Sequence, residues 1–370
     1  MKIYYIANMR FPNEKAHGKQ VREMCNALAE YAEVELIVPS RKTEGDARTF
    51  GLHKEVVLVH LGVPDLVRFG PLGFRITAFC FALRSGLYMA VRRKKDAAVL
   101  TREYLCAILP ALFGTRVAWE SHRGEWNAAI RLALYFGARL VVITNGLKGL
   151  YMSKGVQEKS IFVAPDGTDL ARYKTIQSVS KEAARAKLSL PQDRKIAIYS
   201  GHLHTWKGTD TLARAARLLP EHFLVLFVGG TDEDIAEFKK EYGHDARIRI
   251  LGRRSDEDRP LYLRAADVAV LPNTAKDEIS AKYTSPLKLF DYMAAGTPIV
   301  ASDLPSIREV LSEKTAYFAV PDDAASFVAT IVNAAEHPEE ALEKASAAQN
   351  VVQNYDWKDR ARRILGFLAG

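Results

Sequence analysis

The chain has 370 residues, 48% of them hydrophobic and 26% charged, which is the composition of an ordinary folded protein and excludes a disordered one. That length exceeds what one core usually fills, so two domains of about 150 residues or more are expected. The net charge of +8 favours an anionic partner but does not choose among nucleic acid, a phosphorylated substrate and lipid headgroups.

In chain order, "MKIYYIANMR" is too short and too weakly basic for a signal peptide and reads as a first buried strand; export is not implied, and the expected location is cytoplasmic. Strands follow at 2–7, 34–39, 56–61, 97–102, 116–121 and 139–144, then in a second series at 195–201, 223–230, 247–252, 268–273, 298–303 and 316–320. Each is a short β-branched run, and helical periodicity fills the intervals, so the pattern predicts parallel sheets covered on both faces. Turn signals and a polar helical stretch at 165–193 form the linker between the two series. The fold class is α/β with two doubly wound Rossmann-like domains, and no short repeat is present. The amphipathic segment "YDWKDRARRILGFL" can pack on either domain.

Cys25, Cys80 and Cys106 are widely spaced among apolar residues and read as reduced core thiols, not a disulfide frame or a zinc site. The longest uncharged apolar run, "ITAFCFAL" at 76–83, falls short of the roughly 20 residues a bilayer requires, so no span is expected. Residues 67–95 nevertheless carry Arg68, Arg75, Arg84, Arg92, Arg93, Lys94 and Lys95 with no acidic residue, interleaved with Phe69, Phe74, Phe79, Phe81 and Tyr88. Such a basic amphipathic segment suits an anionic membrane face, with a core helix pair as the structural alternative; without a recognition motif, nucleic acid is not expected.

In doubly wound folds ligands bind beyond the carboxyl ends of strands. A dinucleotide fingerprint is missing, because "ANMRFPNEKAHGKQ" offers only Gly18 before its helix. "YSGHLHTWKGTD" (199–210) fails as a P-loop, since Trp206 stands where the second glycine belongs and Gly208 follows Lys207. What remains is Gly201, a lysine and a helix start, a suitable diphosphate site or a solvated loop. In "YTSPLKLFDYMAAGTPIVASD", Ser285 is expected as N-cap, Pro286 as the first helical residue and Gly296 just past the helix end. Asp291 shares the Lys288 face, three residues on, where it could accept from a ribose or face solvent.

The stretches 199–219, 247–273 and 283–302, in this order, resemble the nucleotide-binding half of retaining glycosyltransferases of family four; 141–156 and 163–173 are similar to the end of that family's first domain and its linker. The resemblance implies a GT-B fold, two Rossmann-like domains facing across a cleft, with domains at 1–172 and 173–355 and the last helix, about 356–370, returning to the first. It implies transfer of a hexose-type sugar from a UDP or GDP sugar to a hydroxyl of a glycan or lipid-linked glycan, with retention and without metal or other cofactor.

Residue by residue, the resemblance makes Lys207 the diphosphate-binding lysine. His202 stands where the family has arginine, leaving a weaker, pH-dependent phosphate partner. In the family's E-x7-E signature the second glutamate corresponds to Asp291, as ribose ligand, and the first to Tyr283, which cannot act as a carboxylate; Glu278 or Asp277 is a candidate replacement. Ser285, Pro286 and Leu287 replace a glycine-containing loop, with the N–H groups of Ser285 and Leu287 facing the diphosphate. Arg253 resembles the base-contacting turn or is a surface arginine. In the first domain, His122, near Glu120, Arg123 and Glu125, falls where the family places a histidine by the sugar and leaving phosphate. His17 and Gly18 resemble the small-residue loop near donor or acceptor, and Thr144 and Asn145 mark another strand end or a structural turn.

Asp232-Glu233-Asp234 and Asp256-Glu257-Asp258 fit the letters of a metal-binding D-x-D, but both precede helical sequence and read as helix-start acids. Residues 166–169 read as an interdomain turn. Two other classes stay open: a sugar-nucleotide epimerase or phosphorylase of the same architecture, and a catalytically silent sugar-nucleotide-binding or partner module.

Overall fold

A computed structural model describes residues 1–13, 15–41, 46–92 and 96–370. Contacts divide it into one unit of Met1–Asp166 with Trp357–Gly370 and another of Gly167–Asp356. The division precedes the 172/173 boundary read from sequence because Leu170 packs against the core of the second unit and the Thr168 hydroxyl donates to Asp291 there.

The first unit holds β1 (Lys2–Ile6), β2 (Glu33–Pro39), β3 (Val57–Leu61), β4 (Ala97–Thr101), β5 (Arg116–Ser121), β6 (Arg139–Val142) and β7 (Ile161–Val163). They form one sheet in the order β3-β2-β1-β4-β5-β6-β7, every pair parallel. The strand order reverses between β1 and β4, which places the switch point there. β7 was not anticipated; its three apolar residues are too few for periodicity to reveal. The helix Trp357–Ala369 belongs to this unit and buries Trp357, Arg360, Ala361, Ile364 and Leu368.

The second unit holds β8 (Lys195–Ser200), β9 (Phe223–Val228), β10 (Ile248–Gly252), β11 (Val268–Leu271), β12 (Ile299–Ser302) and β13 (Tyr317–Ala319), ordered β10-β9-β8-β11-β12-β13 and all parallel. Its strands read as continuous apolar runs because both faces are covered: Ile196 and Ile198 point into one hydrophobic cluster, Ala197 and Tyr199 into the other. The switch point lies between β8 and β11, so the loops after these strands, 201–208 and 272–286, adjoin at the carboxyl edge.

Of the cysteines, Cys25 and Cys106 are buried and Cys80 is half-buried, all as free thiols. The uncharged run 76–83 lies within a longer helical stretch, Val67–Arg92, that is long and apolar enough to cross a bilayer by length and composition alone. Arg75 and Arg84 interrupt the apolar run without interrupting the helix. Gly73, Thr77, Phe81, Ser85 and Met89 recur at helical spacing and are buried in the unit. The opposite side exposes Leu72 (69%), Phe79 (62%), Leu87 (53%) and Val91 (87%). Arg93, Lys94 and Lys95 lie outside the described residues.

Candidate functional site

In the second unit, β8 ends at Ser200 and the chain turns sharply at Gly201, whose φ of 147° suits only glycine. A single 3₁₀ turn, Thr205–Lys207, then leads to Gly208, the left-handed N-cap of the helix Thr209–Leu218. Gly208 is doubly required: its φ is 72°, and a Cβ there would lie 1.6 Å from the Pro272 carbonyl oxygen in the loop after β11. This contact seats the Lys207 loop against its neighbour across the switch point.

The helix that follows the second loop runs Leu287–Ala295, one residue later than expected. Pro286 is its N-cap with no side-chain cap bond, and Ser285 lies buried outside it. Gly296, at φ 66°, closes the helix as the sequence indicated. The first turn carries Lys288, whose Nζ donates to the Tyr199 hydroxyl at 2.8 Å and lies 4.0 Å from that ring's centre. The Tyr199 hydroxyl in turn donates to the His202 carbonyl at 2.7 Å, tying the two loops together.

Lys207 and Lys288 are desolvated near each other. Burial pulls the Lys207 ammonium down to about 8, and burial with the Lys207 charge holds Lys288 well below the usual lysine range. Among the described residues neither makes an ion pair with a carboxylate, although Asp234 acts on Lys207 at longer range. Two half-buried lysines at the carboxyl edge of a switch point make a candidate site for a polyanion. A separate cavity of about 470 Å³, lined by Ser189, Pro191, Arg194, Leu224 and Ile248, opens at the amino ends of β8–β10, away from these lysines.

The sequence reads His202 as a weaker, pH-dependent phosphate partner. Burial and the Lys207 charge lower it from its ordinary value despite Asp234. Its Nδ1 lies 3.3 Å from Asp234 Oδ2. Asp234 is the helix-start acid expected, in a capping box with Thr231, yet it also faces the histidines. Asp256 pairs with Arg259, and Asp258 caps the helix Arg259–Ala265 without a side-chain cap bond.

Asp291 is engaged within the protein. Its Oδ1 accepts from the Thr168 hydroxyl at 2.7 Å and its Oδ2 lies 3.6 Å from Arg259 Nη1, which takes up part of its accepting capacity. Tyr283 is buried, with its hydroxyl 3.4 Å from Glu278 Oε1; Glu278 is exposed and also pairs with Lys282, and Asp277 accepts from the Ser280 N–H. Neither acid converges on the lysines through these bonds. Arg253 is exposed beside Gly252.

In the first unit, β5 delivers Glu120 and His122 to a buried charge network. His122 Nε2 meets Glu120 Oε1 at 2.6 Å, which directs the ring N–H to the carboxylate and leaves Nδ1 to accept. Arg360 lies 3.3 Å from Glu120 Oε2 and also donates to the Ala164 and Pro165 carbonyls. Gln20 bridges Glu120 and Asp166, and Arg102 donates to Gln20 at 2.5 Å. Burial opposes ionisation of Glu120, but Arg360 and then His122 outweigh it and hold the carboxyl well below its usual range. Burial pushes Asp166 up to about 7. Burial and Arg102 pull His122 down to about 4 against the Glu120 attraction.

Asp166 belongs to this network at the boundary between the units, and Asp169 caps the helix Leu170–Lys174. Arg360, Arg102 and Gln20 were missed by the sequence reading; a lone arginine in an amphipathic helix carries no signal of a partner far away in the chain. Gly18 serves packing: a Cβ there would lie 2.1 Å from the Asn13 carbonyl oxygen. His17 is exposed and 3.5 Å from Asn13 Nδ2. Thr144 caps the helix that Asn145 begins.

Residues 194–337 match the family "Glycosyl transferases group 1". A D-inositol 3-phosphate glycosyltransferase of Corynebacterium efficiens is 26% identical over 216 residues, 55% of this chain and 49% of the relative. A phosphatidyl-myo-inositol mannosyltransferase of Mycolicibacterium smegmatis is 28% identical over 207 residues, 54% and 50% of the two chains. The chain therefore spans about half the length of the curated relatives it matches. Among solved structures, Anabaena Alr3699/HepE in complex with UDP aligns over 100% of both chains with a TM-score of 0.78 at 16% identity. Sucrose-phosphate synthase of Thermosynechococcus elongatus aligns over 100% and 98% with a TM-score of 0.76 at 20% identity. These likenesses identify the fold as GT-B, two Rossmann-like domains.

Proposed function

Residues 194–337 match glycosyltransferase group 1, and we propose that the chain belongs to it and transfers a hexose-type sugar from a nucleoside diphosphate sugar to an acceptor hydroxyl, with retention of configuration. The observation that carries the reading is the pair Lys207 and Lys288, two half-buried lysines on the loops that meet at the switch point, neither with a carboxylate ion pair among the described residues. A diphosphate supplies the missing negative charge. As the bond to the sugar breaks, charge grows on the leaving phosphate, and fixed cations in a poorly hydrated site stabilise that change more than they stabilise the bound donor.

This assigns to the lysines the work a divalent metal does in other transferases, so the transfer itself requires none. Ser285 and Leu287 offer backbone N–H groups to the same diphosphate. His122, its Nε2–H held by Glu120, accepts from a sugar or acceptor hydroxyl through Nδ1. The acceptor attacks from the face the diphosphate leaves, and the departing phosphate takes its proton. A UDP or GDP sugar is the donor class, a glycan or lipid-linked glycan the acceptor. The exposed apolar side of Gly70–Arg92, with Arg75 and Arg84, is assigned to an anionic membrane surface.

A silent sugar-nucleotide-binding module is the second reading, favoured by Tyr283 at a carboxylate position and by the engagement of Asp291 with Thr168. Thermal shifts with UDP, GDP and ADP, followed by turnover of the matching sugars with and without acceptors, separate the two. Release of nucleoside diphosphate only with acceptor present supports transfer. Binding without turnover on any acceptor supports the module, and transfer unchanged in Lys207→Ala removes the site assignment.

A further inference from the structure

His202, His204 and Asp234 bring their ligating atoms within 4.8 Å of one another. His202 Nδ1 stands 3.3 Å from Asp234 Oδ2, and His204 Nδ1 stands 3.6 Å from Asp234 Oδ1. Both separations exceed the usual N–H···O distance of about 2.9 Å. They are near the spacing of about 3.4 Å between donors bound to one zinc at roughly 2.1 Å, with the two histidines facing different oxygens of Asp234.

The arrangement is also held in place before anything binds. The two imidazoles lie in parallel planes, 9° apart with centroids at 5.5 Å, and turn their Nδ1 edges towards the same carboxylate. The Tyr199 hydroxyl fixes the His202 backbone, and the Thr231 N–H fixes Asp234 Oδ2 at 3.2 Å. Asp234 and His202 are half-buried while His204 is exposed, so one side of the cluster opens to solvent.

We propose that His202, His204 and Asp234 bind a divalent transition-metal ion of the zinc class, with the fourth position open. Two imidazoles and one carboxylate suit zinc and its neighbours, whereas magnesium and calcium prefer oxygen ligands throughout. The ion neutralises Asp234 and adds positive charge on the loop that carries Lys207. Its open position is available to water or to an anion held by that lysine. The metal site rests on the histidines and Asp234 and the donor assignment on the lysines, so either can fail without the other.

The experiment titrates the full-length, metal-stripped chain with Zn²⁺ by calorimetry and with Co²⁺ by visible absorption, in the absence of nucleotide. One ion per chain is expected, with Co²⁺ bands of four-coordinate geometry displaced by Zn²⁺. His204→Ala removes an exposed ligand and should weaken binding at least about tenfold. Asp234→Asn should do the same, with circular dichroism confirming that each variant is folded. Absence of stoichiometric binding, or affinity unchanged in His204→Ala, overturns the site. UDP titration of the metal-free chain is the separate measurement on which the donor reading stands or falls.

Discussion

Arg360 and Glu120 are 240 positions apart in the chain, yet Arg360 Nη1 and Glu120 Oε2 lie 3.3 Å apart with both residues buried. The pair joins the C-terminal helix to β5 inside the first unit. Arg360 also satisfies the Ala164 and Pro165 carbonyls, so one side chain closes several buried polar groups at once.

Removing one partner of such a pair strands a buried charge. Arg360→Met should destabilise the chain by about 3–5 kcal/mol, read as a lowered denaturant midpoint. Adding Glu120→Gln to it should recover part of that loss, because the stranded carboxylate is gone. If the double variant is less stable than the single one by the full cost of Glu120→Gln alone, the two residues are not coupled.

The same network sets a pH dependence with opposing parts. A carboxyl raised from about 3.9 when unfolded stabilises the fold below that value and loses its contribution as pH rises, so Asp166 weakens the fold on the way to about 7. His122, lowered to about 4, contributes fully above its unfolded value and loses that contribution as pH falls towards 4. Asp166→Asn should therefore gain stability relative to the parent chain between acidic and neutral pH. Urea unfolding midpoints at several pH values across that window measure the difference.

In the proposed donor site, Lys288 meets a polyanion with a half-buried side chain. With its ammonium held well below the usual range, Lys288→Met should leave the ligand-free chain as stable or more so, while UDP affinity falls roughly tenfold or more. Calorimetric titration and thermal denaturation of the same sample read both effects. A variant that loses stability and keeps its UDP affinity would reverse the assignment.

Lys207 adds a pH limit to donor binding. Its ammonium titrates at about 8 in the free chain, so UDP affinity should decline as pH climbs beyond that value, with the midpoint moved upward by the ligand's own charge. Affinity constant to pH 10 would argue that its charge does not touch the ligand.

Gly208 tests the joint between the two loops. Gly208→Ala places a methyl 1.6 Å from the Pro272 carbonyl oxygen in a left-handed backbone, and should cost about 2 kcal/mol or more. It should also weaken UDP binding beyond that of a distant variant of equal stability, since Lys207 precedes it directly.

Much of this architecture is legible in the chain. Strands such as 223–228 announce themselves because burial on both faces requires an uninterrupted apolar run, and Gly296 marks a helix end because only its left-handed backbone closes the turn. The loop around Lys207 was legible because a glycine turn and a helix start are neighbours in sequence. Those features depend on residues a few positions apart, and local sterics and periodicity decide them. The partners of Asp291, the burial of Arg360 against Glu120, the meeting of His202 and His204 with Asp234, and the desolvation of Lys288 depend on which loops the sheet order brings together. Only the tertiary structure decided these, because a charge takes its strength and its role from the groups that surround it in space.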